Sequence, residues 1–188
     1  MTNKWKLAVV LTCITITVGA AIYYFNPNAR KMRYYSTGII YLQQGKYRQA
    51  ISNLRDALAL DHDNFEFRYS LALAYVKDER WQQALDTINA INTEQQQSLD
   101  IYSLLIQIYL NQKQYNQALT YSSRGIKQFA NKARSYILHA QVLQEMNYPN
   151  IEKYLEKAIV VDPKYVDSYM LLATYLADKK LYTQAIFK

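Results

Sequence analysis

The chain has 188 residues, 51% of them hydrophobic, which excludes a disordered polymer and suffices for one domain with a substantial core. Its 4 Gly and 3 Pro against 19 Tyr are too little turn punctuation for a many-stranded β protein, and predict an all-α chain of long helices and short connections. The formal charge of +7 is local, because Arg30, Lys31, Arg33, Lys46, Arg48 and Arg55 fall in a stretch without an acid and the first acid is Asp56. A single cysteine, Cys13, excludes an internal disulfide and a multi-cysteine metal site. His62 and His139 stand far apart with no carboxylate at ligand spacing, so neither a metal nor a cofactor is expected.

The first predicted element follows a basic head, residues 1–6, with Lys4 and Lys6. From Leu7 to Phe25 the sequence LAVVLTCITITVGAAIYYF carries no charge and as a helix would be about 28 Å long, enough to cross a bilayer core. Trp5 before it and Tyr23 and Tyr24 at its end suit the two interfaces. The pattern predicts a single uncleaved transmembrane signal-anchor at 7–25, with cleavage after Ala20 as the alternative. A lipoprotein signal is disfavoured, since Thr12 precedes Cys13 and few apolar residues lie ahead of it. The flanking charges nearly balance, Lys4 and Lys6 against Arg30, Lys31 and Arg33. A short basic head normally stays inside, so the expected location is a bacterial inner membrane, single-pass, with the following domain in the periplasm. In the opposite orientation the basic block would face anionic headgroups. Residues 26–30 read as a linker.

From residue 31 onward the chain repeats itself. Ala50, Ala84 and Ala118 are 34 residues apart, as are Tyr41, Tyr75 and Tyr109, and the same interval joins Gly38, Ala72, Ile106 and Ala140. KYRQAISNLRDALALD at 46–61 returns as RWQQALDTINAIN at 80–92 and QYNQALTYSSRGI at 114–126. The period and pattern resemble the tetratricopeptide repeat, whose helix–turn–helix units stack into a right-handed superhelical solenoid. The units read as 31–64, 65–98, 99–132, 133–165 and a partial 166–188. Small residues on the first helix of a unit are expected to face the alanine of the second, while Tyr47, Trp81, Tyr115, Tyr148 and Tyr182 open second helices and cover the turns. Ala118 to Ala185 is 67 residues rather than 68, which predicts one residue missing between Leu143 and Tyr148, with Pro149 at the start of a second helix. Arg68, Ile106, Ser122, Gly125 and His139 depart from the family pattern, which marks the junction of the third and fourth units as the soft point. His139 itself falls on a core position and reads as a buried, hydrogen-bonded imidazole.

Nothing in the sequence has the spacing of a catalytic constellation, and no enzyme is expected. The positive charge does not line a helix aligned for a nucleic-acid groove. The resemblance implies instead a protein-binding module, with first helices lining a concave groove for a peptide or partner helix. Helical spacing puts Tyr35, Ile39 and Leu42, then Tyr69, Leu73 and Val76, on that face, followed by Ser103, Gln107 and Asn111, then Ile137, Gln141 and Gln144. The lysine, asparagine and arginine set with which chaperone-docking relatives hold a C-terminal carboxylate is replaced by Tyr35, Ile39, Ser70, Asp100 and Leu104. The expected function is a membrane-anchored scaffold for envelope assembly, secretion or exopolysaccharide export. The alternative is a spacer or self-association module without a peptide ligand, joined through an open C-terminal unit where Leu171, Leu172 and Leu176 keep an uncovered apolar side. A C-terminal alkaline phosphatase fusion is expected to be active and to stay with the membrane after carbonate washing; an inactive phosphatase with an active cytoplasmic reporter would reverse the orientation.

Overall fold

The computed structural model describes residues 3–91 and 93–179, within which the chain is all-α. It divides into two compact units, Met1–Asp78 and Glu79–Lys188. The first holds α1 (Asn3–Phe25), α2 (Pro27–Gln43), α3 (Tyr47–Leu60) and α4 (Phe65–Lys77). The second holds α5 (Trp81–Asn89), α6 (Thr93–Gln96), α7 (Leu99–Asn111), α8 (Tyr115–Gln128), α9 (Ala133–Glu145), α10 (Ile151–Val161) and α11 (Val166–Asp178).

The apolar run forms α1, on which Trp5, Val9, Val10, Leu11, Ile14, Ile16 and Val18 are all exposed. Among the described residues no helix is long and apolar enough to cross a membrane. The side chains of Lys4, Leu7, Ala20 and 22–25, which complete the run and its flanks, lie outside the described residues. The expected linker is shorter than its predicted bounds. Asn26 alone separates α1 from α2: its side chain accepts a hydrogen bond from the Asn28 amide at 2.9 Å, and Pro27 takes the first helical position, where a missing N–H costs nothing.

The 34-residue period is written into the backbone at both ends of the first helices. Asn64 and Ser98 cap α4 and α7 by accepting from the amides of Phe67, at 3.1 Å, and Ile101, at 3.2 Å. At the other end the left-handed conformation recurs at Gly45, Glu79, Lys113 and Asn147, with φ of 72°, 59°, 58° and 53°. The bond that closes the helix also recurs, Lys46 to Tyr41 at 2.9 Å, Gln114 to Tyr109 at 2.8 Å and Tyr148 to Leu143 at 2.9 Å, amide to carbonyl.

That recurrence corrects the position of the phase slip. The register is intact through Tyr148, so the missing residue lies between Tyr148 and Ile151 and not before Tyr148. Tyr47, Trp81 and Tyr115 do open α3, α5 and α8, but Tyr148 does not open α10, which starts at Ile151 after Asn150 at φ 71°. Tyr148 stands where Lys46 and Gln114 cap their helices, and the left-handed Asn150 delays the helix to Ile151. The fourth second helix therefore lacks its first turn, Tyr148 is exposed, and Ile151 fills the core site that Ala50, Ala84 and Ala118 hold elsewhere. Tyr182 lies outside the described residues.

Unit one is built on the contact of α2 with α3. Ala50, Leu54 and Ala57 are fully buried, and a Cβ on Gly38 would lie 2.7 Å from Leu54 Cγ, so only glycine fits this approach. In unit two, α5 ends early, at Asn89. The Gln96 side-chain amide donates to the carbonyls of Ile91, at 2.8 Å, and Ile88, at 3.2 Å, which the short helix leaves without intrahelical partners. The junction expected to be soft contains a core of its own, Ile106, Ala118, Leu138 and Val142, all buried. The apolar side expected to stand open on α11 is closed over Leu172 and Leu176, which are fully buried with Ala140, Leu143, Ile151 and Leu155, while Leu171 packs at the margin.

Gly38 and Gly125 make opposite forecasts. At Gly38 an added methyl must displace Leu54, and Gly38→Ala should cost about 1–3 kcal/mol. At Gly125 the nearest atoms to an added Cβ are Leu99 Cδ1 at 3.8 Å and Tyr102 Cδ2 at 3.9 Å, an ordinary contact. Gly125→Ala should therefore stabilise α8 by about 0.5–1 kcal/mol. Urea denaturation of the two variants checks the signs.

Candidate functional site

In unit one the candidate groove residues Tyr35, Ile39 and Leu42 of α2 and Tyr69 and Leu73 of α4 are half-buried, and Val76 is only 2% exposed. Tyr35 stacks on Phe67 with ring centres 4.7 Å apart, and Tyr69 lies against Phe65 at 6.1 Å. This face is therefore largely consumed in packing. Val76 belongs to the core and not to the groove face where helical spacing puts it, and Tyr35 is engaged in ring stacking.

Unit two is different. Ser103, Gln107 and Asn111 of α7 and Gln141 and Gln144 of α9 line one cavity of about 480 Å³. Ile106 and Leu110 of α7, Leu138 of α9 and Leu171 of α11 form an apolar floor, and Glu145 also lines the cavity. Gln107, Asn111 and Gln141 are exposed, as surface amides with no role in the core must be. The Asn111 side-chain amide donates to the Gln107 carbonyl at 2.9 Å, leaving its oxygen as an acceptor. A second cavity of about 310 Å³ adjoins it between α9 and α11, lined by Ile137, Gln141, Asp167, Met170, Leu171 and Thr174. Ile137 is only 6% exposed and forms the wall of that cavity from within the core. Leu110, Met170 and Thr174 were readable and missed: Leu110 stands 34 residues after Val76, and Met170 and Thr174 stand 33 after Ile137 and Gln141.

The titratable groups buried nearby serve packing. His139 is 7% exposed, with Nδ1 3.0 Å from Ser122 Oγ and its ring edge-on to Tyr154 at 4.6 Å. Ser122 Oγ lies within hydrogen-bond reach of the Leu119 carbonyl, at 3.1 Å, as well as of the imidazole, so this buried pair is held within the helix stack. Burial pushes the His139 pKa below its ordinary 6.5. Tyr109 stacks on Tyr121 at 5.7 Å, and burial raises the Tyr109 phenol. Tyr102 beside them donates to Gln128 Oε1 at 2.9 Å. Among the described residues no group of three or more His, Cys, Asp and Glu side chains could hold a metal ion.

Residues 41–105 match the family model described as tetratricopeptide repeat. Over that stretch the repeats are tetratricopeptide repeats. A tetratricopeptide repeat protein of Parabacteroides merdae superposes with a TM-score of 0.72 over 89% of this chain and 66% of its own, at 19% identity. PilF of Pseudomonas aeruginosa does so with 0.67 over 85% and 73%, also at 19% identity. YrrB, described as a tetratricopeptide repeat protein with an unusual peptide-binding site, gives 0.55 over 89% and 86%, at 18% identity. At these identities the likeness is one of fold. A comparison with curated protein sequences finds no significant match.

The buried imidazole makes stability depend on pH. Unfolding restores His139 to its ordinary pKa, so below about pH 6.5 the unfolded chain binds a proton that the folded chain resists, and stability falls as acid is added. Above that pH this contribution is constant. The urea midpoint should drop between pH 7.5 and 5.5, and His139→Leu should flatten the drop.

Proposed function

We propose that the chain is a non-enzymatic scaffold that holds an extended segment of a partner protein in the groove of its second unit. The observation that carries this reading is the contrast between the two units. The first-helix face of unit one spends its side chains on ring stacking and core contacts, whereas that of unit two presents a serine and four amides over an apolar floor. Amide side chains both donate and accept, as does the main chain of an extended peptide, which carries one N–H and one C=O per residue. Isoleucine and leucine below them offer a surface for side chains that alternate towards the floor.

The location belongs to the same proposal. The charge-free run from Leu7 to Phe25 and the exposed apolar side chains around α1 support a membrane anchor, with the repeats held at a bacterial inner membrane and facing the periplasm. A scaffold there would recruit proteins of envelope assembly, secretion or exopolysaccharide export. One observation favours a second reading, self-association: Val160, Val166 and Met170 of α10 and α11 are each exposed by more than 60%.

Random heptapeptides displayed on phage test the binding reading directly, with the full chain in mild detergent as bait and Gln141→Trp as the blocked-groove control. Sequences should be enriched on the parent and not on the control. Gln107→Ala combined with Gln141→Ala should weaken those peptides about tenfold, the loss of one or two hydrogen bonds, with the melting midpoint unchanged. Enrichment that persists on Gln141→Trp would place binding elsewhere.

A further inference from the structure

The two cavities of unit two share Gln141 and Leu171, so they form one continuous channel across α7, α9 and α11. The charges along it are of one sign. Glu145 lines the first cavity and Asp167 the second, and among the described residues no lysine or arginine lines either. This runs against the character of the whole chain, whose formal charge is +7. Arg134 pairs with Asp100 at 2.6 Å and lines a different cavity. Burial, and then the hydrogen bond and charge of Asp167, raise the Tyr165 phenol against the opposing charge of Arg134.

From this we infer that the groove selects a segment carrying a lysine or arginine beside an apolar side chain, and rejects acidic segments and a free C-terminal carboxylate. The inference rests on the binding reading above and adds what is bound. The apolar floor of Ile106, Leu110, Leu138 and Leu171 takes the apolar side chain, the amides take the main chain, and the carboxylates at the two ends take the cation. An arriving carboxylate would meet two like charges and, among the described residues, no cation on the cavity walls. Distance decides between the local carboxylates and the positive chain: at physiological ionic strength fields are screened within about 8 Å, so charges remote from the groove contribute little once a peptide is seated. The basic net charge slows the approach of a cationic peptide, while the groove selects it after contact.

The test uses the same heptapeptide selection with the full chain in mild detergent, comparing the parent with Glu145→Gln plus Asp167→Asn, which removes both charges and keeps both shapes. Expected on the parent are peptides with lysine or arginine next to leucine, isoleucine, valine, phenylalanine or methionine. Replacing that cation by norleucine in a synthetic, acetylated and amidated peptide should weaken binding about fivefold at 50 mM salt, as one or two exposed ion pairs would, and much less at 500 mM salt. On the double variant the basic enrichment should vanish while the apolar enrichment stays. Peptides enriched through the groove without a basic residue, or a basic preference that survives in the double variant, would overturn this inference and leave the binding reading standing. A selection in which nothing depends on Gln141 would overturn both. Circular dichroism melts of the double variant identify a folding defect, and a single Asp167→Asn variant then carries the same comparison.

Discussion

Everything in the first unit depends on how closely α2 can approach α3, and that distance is set by what is missing from the contact. At Gly38 there is no room for one more carbon, and Ala50 across from it is fully buried. A helix pair brought this close buries leucine and isoleucine around the contact without long side chains between the axes. Such a pair still keeps an apolar flank, so it needs neighbours. In unit two that need is met by the core that Ala118 shares with Ile106, Leu138 and Val142, and by the one that joins Ala140 to Leu172 and Leu176. The faces of the first helices that look away from these cores are left to other uses, and in unit two they carry amides.

The same packing logic explains which parts of the structure were legible in the sequence. Ala50, Ala84 and Ala118 announced the second helices because a close contact tolerates only small residues there, and repetition turned a weak local signal into a strong one. His139 was legible for the same reason, since its position, more than its chemistry, sent it into the core. The fourth unit was misread where local chemistry overrode the period. Counting residues located a deletion, but the side of Tyr148 on which it falls is decided by the left-handed Asn147 and the Tyr148 to Leu143 bond, which keep the register up to that point. The early stop of α5 at Asn89 was also invisible, and with it the return of the Gln96 amide to the Ile91 carbonyl just beyond the helix. Pro27 could have been read as a helix start; its neighbour Asn26 supplies the cap that makes it one.

The groove was half legible. Periodicity found the right face of each first helix but treated all of them as equivalent, although a face that carries tyrosines beside Phe65 and Phe67 can satisfy itself by stacking. In unit two the same face carries Gln107, Asn111 and Gln141, which stay exposed. Burial thus separates two faces that the pattern alone makes alike, and it moves Val76 and Ile137 from the surface into the interior.

The left-handed residues that end the first helices have a consequence for how this chain can change. Of Gly45, Glu79, Lys113 and Asn147, only the first lacks the side chain that makes this conformation costly. Asparagine tolerates it better than most residues, whereas glutamate and lysine each hold it at roughly 1 kcal/mol of strain. The chain therefore carries a reserve at sites remote from the channel, open to one-step replacement by glycine. A lineage drifting towards a new partner could spend destabilising changes on the groove walls and recover the lost stability at these turns, so that recognition and folding evolve on separate residues.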